Sequence, residues 1–535
     1  MSQKRAFHPF LFAAFPILYL ARVNLWSITI DEVLPSFDVA LGVVVVMYAA
    51  GRKTWGDGRR AAICLSIWTL LFFSYGHVWA DASGKKIAGF EIGRDAILLP
   101  LWTAIAVAGV VFALRVKSLG TATQILNAIA IVLVLTTAVP VALHLVASRP
   151  AQALPAGVSL DLEPAAANTS RPDIYYLVFD RYAGPQTLRS HFNYSNSRFV
   201  EFLQRRGFAL PCSSYANYEN TTKSLAASLN LDYVDWISDR VGRESSSLVP
   251  FYSAIRHNAV KRYLKSSGYK IVHIGSWFDP TNSDPEADQN FRLDAPSGFT
   301  RALYTSSALW PAARNGLIGS VHIGREELHR SVALRQLELL RSAPSLRGPK
   351  FVFAHVLMPH PPYVFTADGS LQTHEKRIDL RHAGGSPYLE QLKFLNARLE
   401  RIINGIVTSN RKRPPVVIIQ ADEGPMLTDI GFRHDVGPDY APGKALAIKY
   451  HIMNALHLPG VPPQRIPDSI SPVNIFRLVF NTYFKTSLEM LPNRAYVSSA
   501  TKPHQTLNIT ERLRGALNGG SCSLSQQAAP VRPAE

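Results

Sequence analysis

Cysteine is scarce, with three in 535 residues, too few for a disulfide scaffold. Cys64 falls inside an apolar run, so a disulfide in an oxidising compartment would have to join Cys212 and Cys522. Charge is scarce as well: Asp, Glu, Lys and Arg make up 18% of the chain against 47% hydrophobic residues, and the mean hydropathy lies slightly above zero. That is too apolar for an ordinary soluble protein and too mixed for a pure membrane channel. Long apolar runs are missing after Pro150, which divides the chain into a membrane part and a soluble part. Acidic residues are outnumbered 39 to 56, giving a net charge of +17. The bases are spread along the chain and no nucleic-acid-binding motif accompanies them, so no nucleic acid is expected as partner. Membrane lipids with anionic headgroups, or an anionic phospholipid or glycan substrate, fit the charge better.

Before Pro150, five apolar runs occupy residues 9–26, 34–50, 61–80, 96–114 and 125–146. Each approaches the roughly 20 residues a helix needs to cross a bilayer. The basic start MSQKRAFHPF resembles a signal peptide, but ARVNLW is no small-residue cleavage site and four further runs follow, so the first run reads as a retained helix. Lys4, Arg5, Arg52, Lys53, Arg59, Arg60, Arg115 and Lys117 outnumber Arg22, Lys85, Lys86 and Arg94 on the alternate turns. The positive-inside rule then puts the N-terminus in the cytoplasm, and five spans put everything after residue 150 outside it, in a bacterial-type inner membrane with a periplasmic domain. No broken-helix pair or internal repeat accompanies Asp38, His77 and His144, so transport is the weaker use of these helices.

Residues 151–171 form a Pro-, Ala- and Ser-rich linker, 172–500 an extracytoplasmic domain, and 501–535 a loose tail. Within the domain, DIYYLVFD (173–180), YKIVHIGS (269–276), KFVFAHVL (350–357) and PVVIIQAD (415–422) are short runs of β-branched, aromatic and aliphatic residues. That is the pattern of strands buried on both faces. Helix-like segments at 197–207, 253–268 and 388–407 lie between them. The alternation predicts an α/β domain with a mostly parallel central sheet behind a multi-span helical bundle.

Polar residues gather where those strands end. Asp180 closes the first, His355 and His360 belong to the third and its loop, and Asp422 with Glu423 closes the fourth. Ligands of open α/β sheets bind beyond the carboxyl ends of the strands. Clustered carboxylates raise one another's pKa unless a cation neutralises them, so one divalent metal ion is expected. Oxygen ligands favour Mn, Mg or Ca, with Zn possible for a His-rich shell. A nucleophile is available in SSYANYENTTKSLAASLN (213–230), where a polar loop enters a helix near Asn220, Thr221 or Thr222. A hydroxyl there sits at a positive helix terminus, although either Thr serves equally well as a plain N-cap.

Six segments in order, PDIYYLVFDRYA (172–183), NYENTTKSLAASLN (217–230), GYKIVHIGSW (268–277), FVFAHVLMPHPPY (351–363), VIIQADEGP (417–425) and SPVNIFRLVF (471–480), resemble the alkaline phosphatase superfamily. The likeness is to its membrane-anchored sulfatase-like branch, which includes phosphoethanolamine transferases and lipoteichoic acid synthases. The resemblance implies Asp180 and Asp422 as metal carboxylates, Thr221 as a metal-bound nucleophile and His360 as a contact to the transferred group. It places Glu423 where the family has His, Arg181 where a Gly is common, and His434 where some relatives carry a further metal histidine. His355 is a second candidate acid or a core histidine; Arg181, Lys223 and His273 are candidate substrate contacts, with a solvated helix face equally open for Lys223 and a cleft-shaping role for His273 and Trp277. Cys212 lies in CSSYA, without the Cys-x-Pro/Ala-x-Arg pattern of formylglycine sulfatases. The expected activity is metal-dependent phosphoryl transfer or hydrolysis on phosphoesters of envelope lipids or glycans. The alternatives are a catalytically silent binding module and a sulfate-ester hydrolase without formylglycine.

Overall fold

The computed structural model describes residues 5–87, 90–152, 162–165, 171–293, 296–315, 325–372, 386–425 and 443–517. The chain forms two compact units, Met1–Pro150 with Pro296–Gly324, and Ala151–Ala295 with Arg325–Glu535.

The first unit consists of α1 (His8–Val23), α2 (Ile30–Trp55), α3 (Gly58–Ala82), α4 (Asp95–Arg115) and α5 (Leu119–Gln152). A capping box between Thr29 and Glu32 starts α2, and the Asp57 side chain caps α3 by accepting from the Arg59 amide. Helices α2 to α5 are long and apolar enough to cross a membrane. α1 has 16 residues and rises only about 24 Å, short of a hydrocarbon core of about 30 Å. The five expected apolar runs are thus occupied by four helices of full length and one short apolar helix. A helix from the middle of the sequence, Gly298–Ser306, belongs to this unit and not to the domain around it in sequence; its Phe299 is buried with Ile17, Ala21, Ile28 and Val141.

The second unit is built on six strands: β1 (Ile174–Phe179), β2 (Lys270–Ile274), β3 (Gln289–Phe291), β4 (Lys350–Val356), β5 (Val416–Gln420) and β6 (Asn454–His457). Their order is β3-β2-β4-β1-β5-β6, all parallel except the β5–β6 pair. Alternation along β1 divides the core. Tyr175, Leu177 and Phe179 face one cluster; Ile174, Tyr176 and Val178 face the other. Helices Arg325–Ser342 and Ser386–Thr408 contribute to the first cluster, and Thr221–Asn230 and Pro472–Phe484 to the second. All six residues of β1 are buried, and each large apolar side chain so placed contributes roughly 1.5–3 kcal/mol. A charge at Val178 would have no water on either side of the sheet.

Register aligns the strand ends. Ile174 pairs with both Phe351 and Val416, and Phe179 pairs with Val356. The residues after β1 and β5, and the last residues of β4, consequently emerge at one edge. The four expected strands lie where the sequence placed them. The expected helix 253–268 is instead two, Val249–Arg256 and Ala259–Ser266, because Asn258 caps the second by accepting from the Lys261 amide. Cys64 is free and buried, Cys212 is disulfide-bonded, and Cys522 lies outside the described residues.

Candidate active site

Asp180 follows β1, Asp422 follows β5 and His355 sits one residue before the end of β4, so parallel register brings three potential ligands together. One ligand atom from each lies within 4.8 Å of the others, and all three residues are buried. Asp180 Oδ1, His355 Nε2 and both Asp422 oxygens are buried without a hydrogen-bond partner. Leaving so many polar atoms unpaired costs about 1–3 kcal/mol apiece and more for charged groups. Burial, with Asp422 and Glu423 adding to it, holds the Asp180 carboxyl well above the usual carboxylate range. Burial and then Glu423 push Asp422 up to about 6. Acceptors that converge unpaired and repel one another make a cluster suited to a cation.

The His355 ring is fixed from behind. Its Nδ1 meets Thr281 Oγ1 at 3.0 Å, and the Thr281 hydroxyl in turn approaches Phe278 O at 3.4 Å. With Nδ1 held by that hydroxyl, Nε2 faces Asp422 Oδ2 at 3.9 Å. Burial depresses His355 to about 3, so the ring is a neutral lone-pair donor rather than an acid at neutral pH. His273 also serves this scaffold: its Nε2–H donates to Thr281 O at 3.0 Å. It is buried, supporting the residue that orients His355.

Thr221 opens a ten-residue helix, Thr221–Asn230, as its first residue. The N-cap is Asn220, whose side chain accepts from the Lys223 amide at 3.0 Å. Capping by Asn220 leaves the Thr221 hydroxyl uncommitted, and the half-buried Thr221 side chain lies close enough to Asp422 to lower its pKa. Thr222 is buried in the helix.

Glu423 is differently placed from a simple ligand. Arg181 Nε meets its Oε1 at 2.9 Å and Lys449 Nζ its Oε2 at 2.8 Å. Burial raises its carboxyl, but Lys449 and Arg181 more than reverse this and the net shift is downward. Glu423 thus sits beside the cluster as a carboxylate already neutralised by two cations. The Lys449 contact depends on a close approach of chains: Gly424 N donates to Lys449 O at 2.7 Å, and a Cβ on Gly424 would come within 2.1 Å of Ile448 O. Lys449 carried no signal in the sequence, being one base in a helix of mixed residues. Arg181 adopts φ 63°, the left-handed region that glycine favours. A non-Gly residue there costs about 1 kcal/mol or more; the strained turn aims the guanidinium back at Glu423.

The remaining expected site residues are less central. His360 Nε2 lies 4.0 Å from Asp180 Oδ2, its Nδ1 contacts Pro361 O, and burial followed by Arg181 holds it well below the ordinary histidine range. Lys223 is fully buried, with its ammonium on Glu219 Oε1 at 2.7 Å and on the Ser498 hydroxyl; it is neither on a solvated face nor open to a substrate. His434 lies outside the described residues.

The donor set suits a divalent ion. Two carboxylates and a neutral imidazole, all with unpaired acceptor atoms, are compatible with Mn, Mg or Zn, and the imidazole makes a pure oxygen-shell Ca site the poorer match.

No family model and no curated protein matches the chain. Among solved structures it is similar to the C-terminal periplasmic domain of EcEptC from Escherichia coli, at 11% identity over 65% of this chain and 96% of that one, with a TM-score of 0.41. It is similar to the C-terminal periplasmic domain of phosphoethanolamine transferase EptC from Campylobacter jejuni, at 14% identity over 62% and 95%, TM-score 0.37. It is also similar to a phosphonate monoester hydrolase of Agrobacterium radiobacter, at 16% identity over 61% and 80%, TM-score 0.37. A phosphoethanolamine transferase, the kind of relative the sequence motifs resemble, is therefore among them. At such scores these likenesses transfer no chemistry to this chain.

Proposed function

We propose that the chain is a metal-dependent, membrane-anchored phosphotransferase or phosphohydrolase that works through Thr221. The observation that carries this reading is the set of unpartnered acceptor atoms on Asp180, His355 and Asp422 beside an uncapped threonine hydroxyl. These three residues would hold the metal, which when bound supplies Lewis-acid neutralisation of charge on the transferred group. The chain's own part is positional. The Thr221 hydroxyl directs its proton toward Asp422, so that an Oγ lone pair points away from the carboxylates toward the phosphorus. The Thr221–Asn230 helix presents its positive N-terminus to the same group. Attack forms the Oγ–P bond, passes the hydroxyl proton to Asp422 and breaks the bond to the leaving alkoxide, which takes a proton from solvent. Water restores Thr221 in a hydrolase; an acceptor hydroxyl does so in a transferase.

The four long apolar helices support membrane anchorage, and envelope lipids or glycans are the phosphoesters within reach of an anchored domain. The disulfide at Cys212 supports a location outside the cytoplasm, since such bonds persist in oxidising compartments. A second reading, a silent binding module, is favoured by the neutralisation of Glu423 by Arg181 and Lys449, which reduces the demand for a metal.

The test is elemental analysis of the purified full chain, with mass spectrometry of the Thr221 peptide after incubation with phosphodiester and phospholipid donors. About one equivalent of metal, lost in Asp422→Asn, together with a phosphorylated Thr221 peptide, is expected. Thr221→Ala lowers turnover on the order of 10³-fold, about 4 kcal/mol. No metal and no adduct leaves the silent module.

A further inference from the structure

Along α2 and α4 large apolar side chains such as Val46, Val107 and Phe112 lie open, as on helices that face hydrocarbon. One stretch of α2 is roofed instead. A cavity of about 650 Å³ lies between α2 and α3 and is bounded on a third side by the inserted segment, through Leu303 and Tyr304. All of its lining residues belong to the first unit. On α2 the lining runs from Pro35 to Met47, a rise of about 18 Å, close to one leaflet of a hydrocarbon core about 30 Å thick. Ala40 and Val43 form part of the wall, and most of the rest is aliphatic or aromatic.

The roof is fixed to the helices beneath it. The Ala308 amide donates to Phe72 O at 2.8 Å, and Gly76 lets two backbones meet: a Cβ there would lie 2.1 Å from Thr305 O. Asn315 Nδ2 donates to Asp95 Oδ2 at 2.9 Å, tying the end of the segment to α4. The roof brings hydroxyls to an otherwise apolar groove. Two of them are engaged: Ser307 Oγ donates to Tyr304 O at 2.8 Å, and Thr300 Oγ1 meets Ser297 Oγ at 3.1 Å. The Tyr304 hydroxyl is buried and has no hydrogen-bond partner among the described residues. The Tyr304 ring packs edge-on against Trp310 with centroids 6.0 Å apart, and amphipathic Tyr and Trp rings favour the headgroup level of a bilayer.

We propose that this groove holds one acyl chain of a glycerophospholipid from the surrounding bilayer, with the Tyr304 hydroxyl donating to the ester carbonyl at the head of that chain. A lipid tail is as apolar as Leu, so passing from the bilayer into a groove of aliphatic side chains gains little from the hydrophobic effect. Retention comes from the closer contact of an enclosing wall and from one hydrogen bond made where water does not compete. A single chain suits the dimensions, because the groove is about one leaflet long and its polar roof stands at the depth of a glycerol ester. A catalytically silent chain would hold the lipid equally, so the site is independent of the chemistry at Thr221.

The test is photolabelling of the full chain in phosphatidylcholine vesicles, using a phosphatidylcholine with a diazirine near the end of one acyl chain and mapping labelled peptides by mass spectrometry. Saturable label on residues 40–47 of α2 is expected, displaced by unlabelled lipid and exceeding the label on Val107 and Phe112, which are exposed on α4 but lie outside the groove. Ala40→Trp and Val43→Trp, which fill the groove, each cut the α2 label at least ~10-fold and leave the α4 label unchanged; Val43 is half exposed and accepts the larger ring without disturbing the fold. Competition reads the hydrogen bond separately. An ester lipid displaces the label better than its diether analogue, on the order of 5-fold in the wild type, and the preference vanishes in Tyr304→Phe. Equal, unsaturable label on α2 and α4 marks ordinary boundary lipid and overturns the site. Label untouched by both tryptophan variants overturns it too, as does an ester preference that is absent from the wild type or survives in Tyr304→Phe. Label that falls as chain density in the vesicles rises assigns the groove to a second copy of the chain, with the same consequence.

Discussion

At the carboxyl end of the sheet, Asp180, Asp422 and His355 converge with acceptor atoms unpaired. At the amino end, Lys350 and Asp173 pair at 2.6 Å. Both ends belong to the same three strands, β1, β4 and β5, and differ by the length of those strands. A parallel sheet aligns its strands in one direction, so residues at equivalent positions meet at each edge. The chemistry of an edge is then set by a handful of positions just outside the hydrophobic runs. One edge gathers carboxylates whose acceptor atoms stay unpaired, and the other pairs its carboxylate with a buried ammonium. The central strand residues, buried on both faces, insulate the two.

The largest expected effect comes from removing one partner at each end in turn. Asp173→Ala strands the buried Lys350 ammonium, whose one carboxylate partner among the described residues is Asp173, and costs roughly 3–5 kcal/mol, as broken buried pairs do. Glu423→Ala strands Lys449 and Arg181, but Asp180 lies close enough to feel both of those charges. Removing Glu423 also relieves the push it exerts on Asp180 and Asp422. The loss at this end is then smaller, about 1–2 kcal/mol. Thermal midpoints of the two variants in the metal-stripped full chain measure the difference. Equal losses would mean that the acid-rich end does not buffer its cations, and the contrast between the ends would fail.

A second effect of comparable size is acid sensitivity at the carboxyl end. Burial lowers His273 to about 4, below its ordinary value of about 6.5. Between those values the unfolded chain binds more protons than the folded one, so stability falls as pH drops from about 6.5 toward 4 and levels off below. The expected loss from this residue is roughly 3 kcal/mol. Unfolding midpoints measured at half-unit pH steps on the wild type and on His273→Asn test it. The variant should be less stable at pH 7 yet show a flatter slope across that interval; an unchanged slope assigns the acid sensitivity elsewhere.

Much of this contrast was legible in the sequence, and the unread part has physical causes. Apolar runs of five to eight residues revealed the four central strands because both of their faces are buried. β3 and β6 escaped notice: Gln289–Phe291 is three residues with little burial, and Asn454–His457 pairs antiparallel at the sheet margin after a helix. Asp180 and Asp422 stood out because a charge that terminates an apolar run is conspicuous. Lys449 did not, since its place beside Glu423 comes from the Gly424 turn and not from any local pattern. His355 was read as acid or core, whereas its role follows from Thr281, a residue of no distinction until the fold brings it to the ring at 3.0 Å. Lys350 was read only as part of a dispersed basic composition, because the sheet, not the sequence, brings it to Asp173.

The smallest effect probes whether the carboxyl end needs Asn220 for more than helix stability. Asn220→Ala removes an N-cap whose side chain accepts from the Lys223 amide at 3.0 Å, a loss of about 1 kcal/mol. Were the cap purely structural, turnover would change little below the unfolding midpoint. The geometry implies more. With Asn220 gone, the orphaned amides of the first turn compete for the nearest oxygen, and the Thr221 hydroxyl is the group at hand. Each molecule in which Thr221 turns back to cap the helix is one whose Oγ no longer faces the reacting centre. Turnover should therefore fall by more than stability does, on the order of 10-fold or about 1.4 kcal/mol, and Asn220→Asp or Asn220→Ser, which restore a capping oxygen, should recover it. Steady-state rates and thermal midpoints on the same three variants separate the two roles. Parallel losses in rate and stability would reduce Asn220 to a cap and leave the orientation of Thr221 to Asp422 alone.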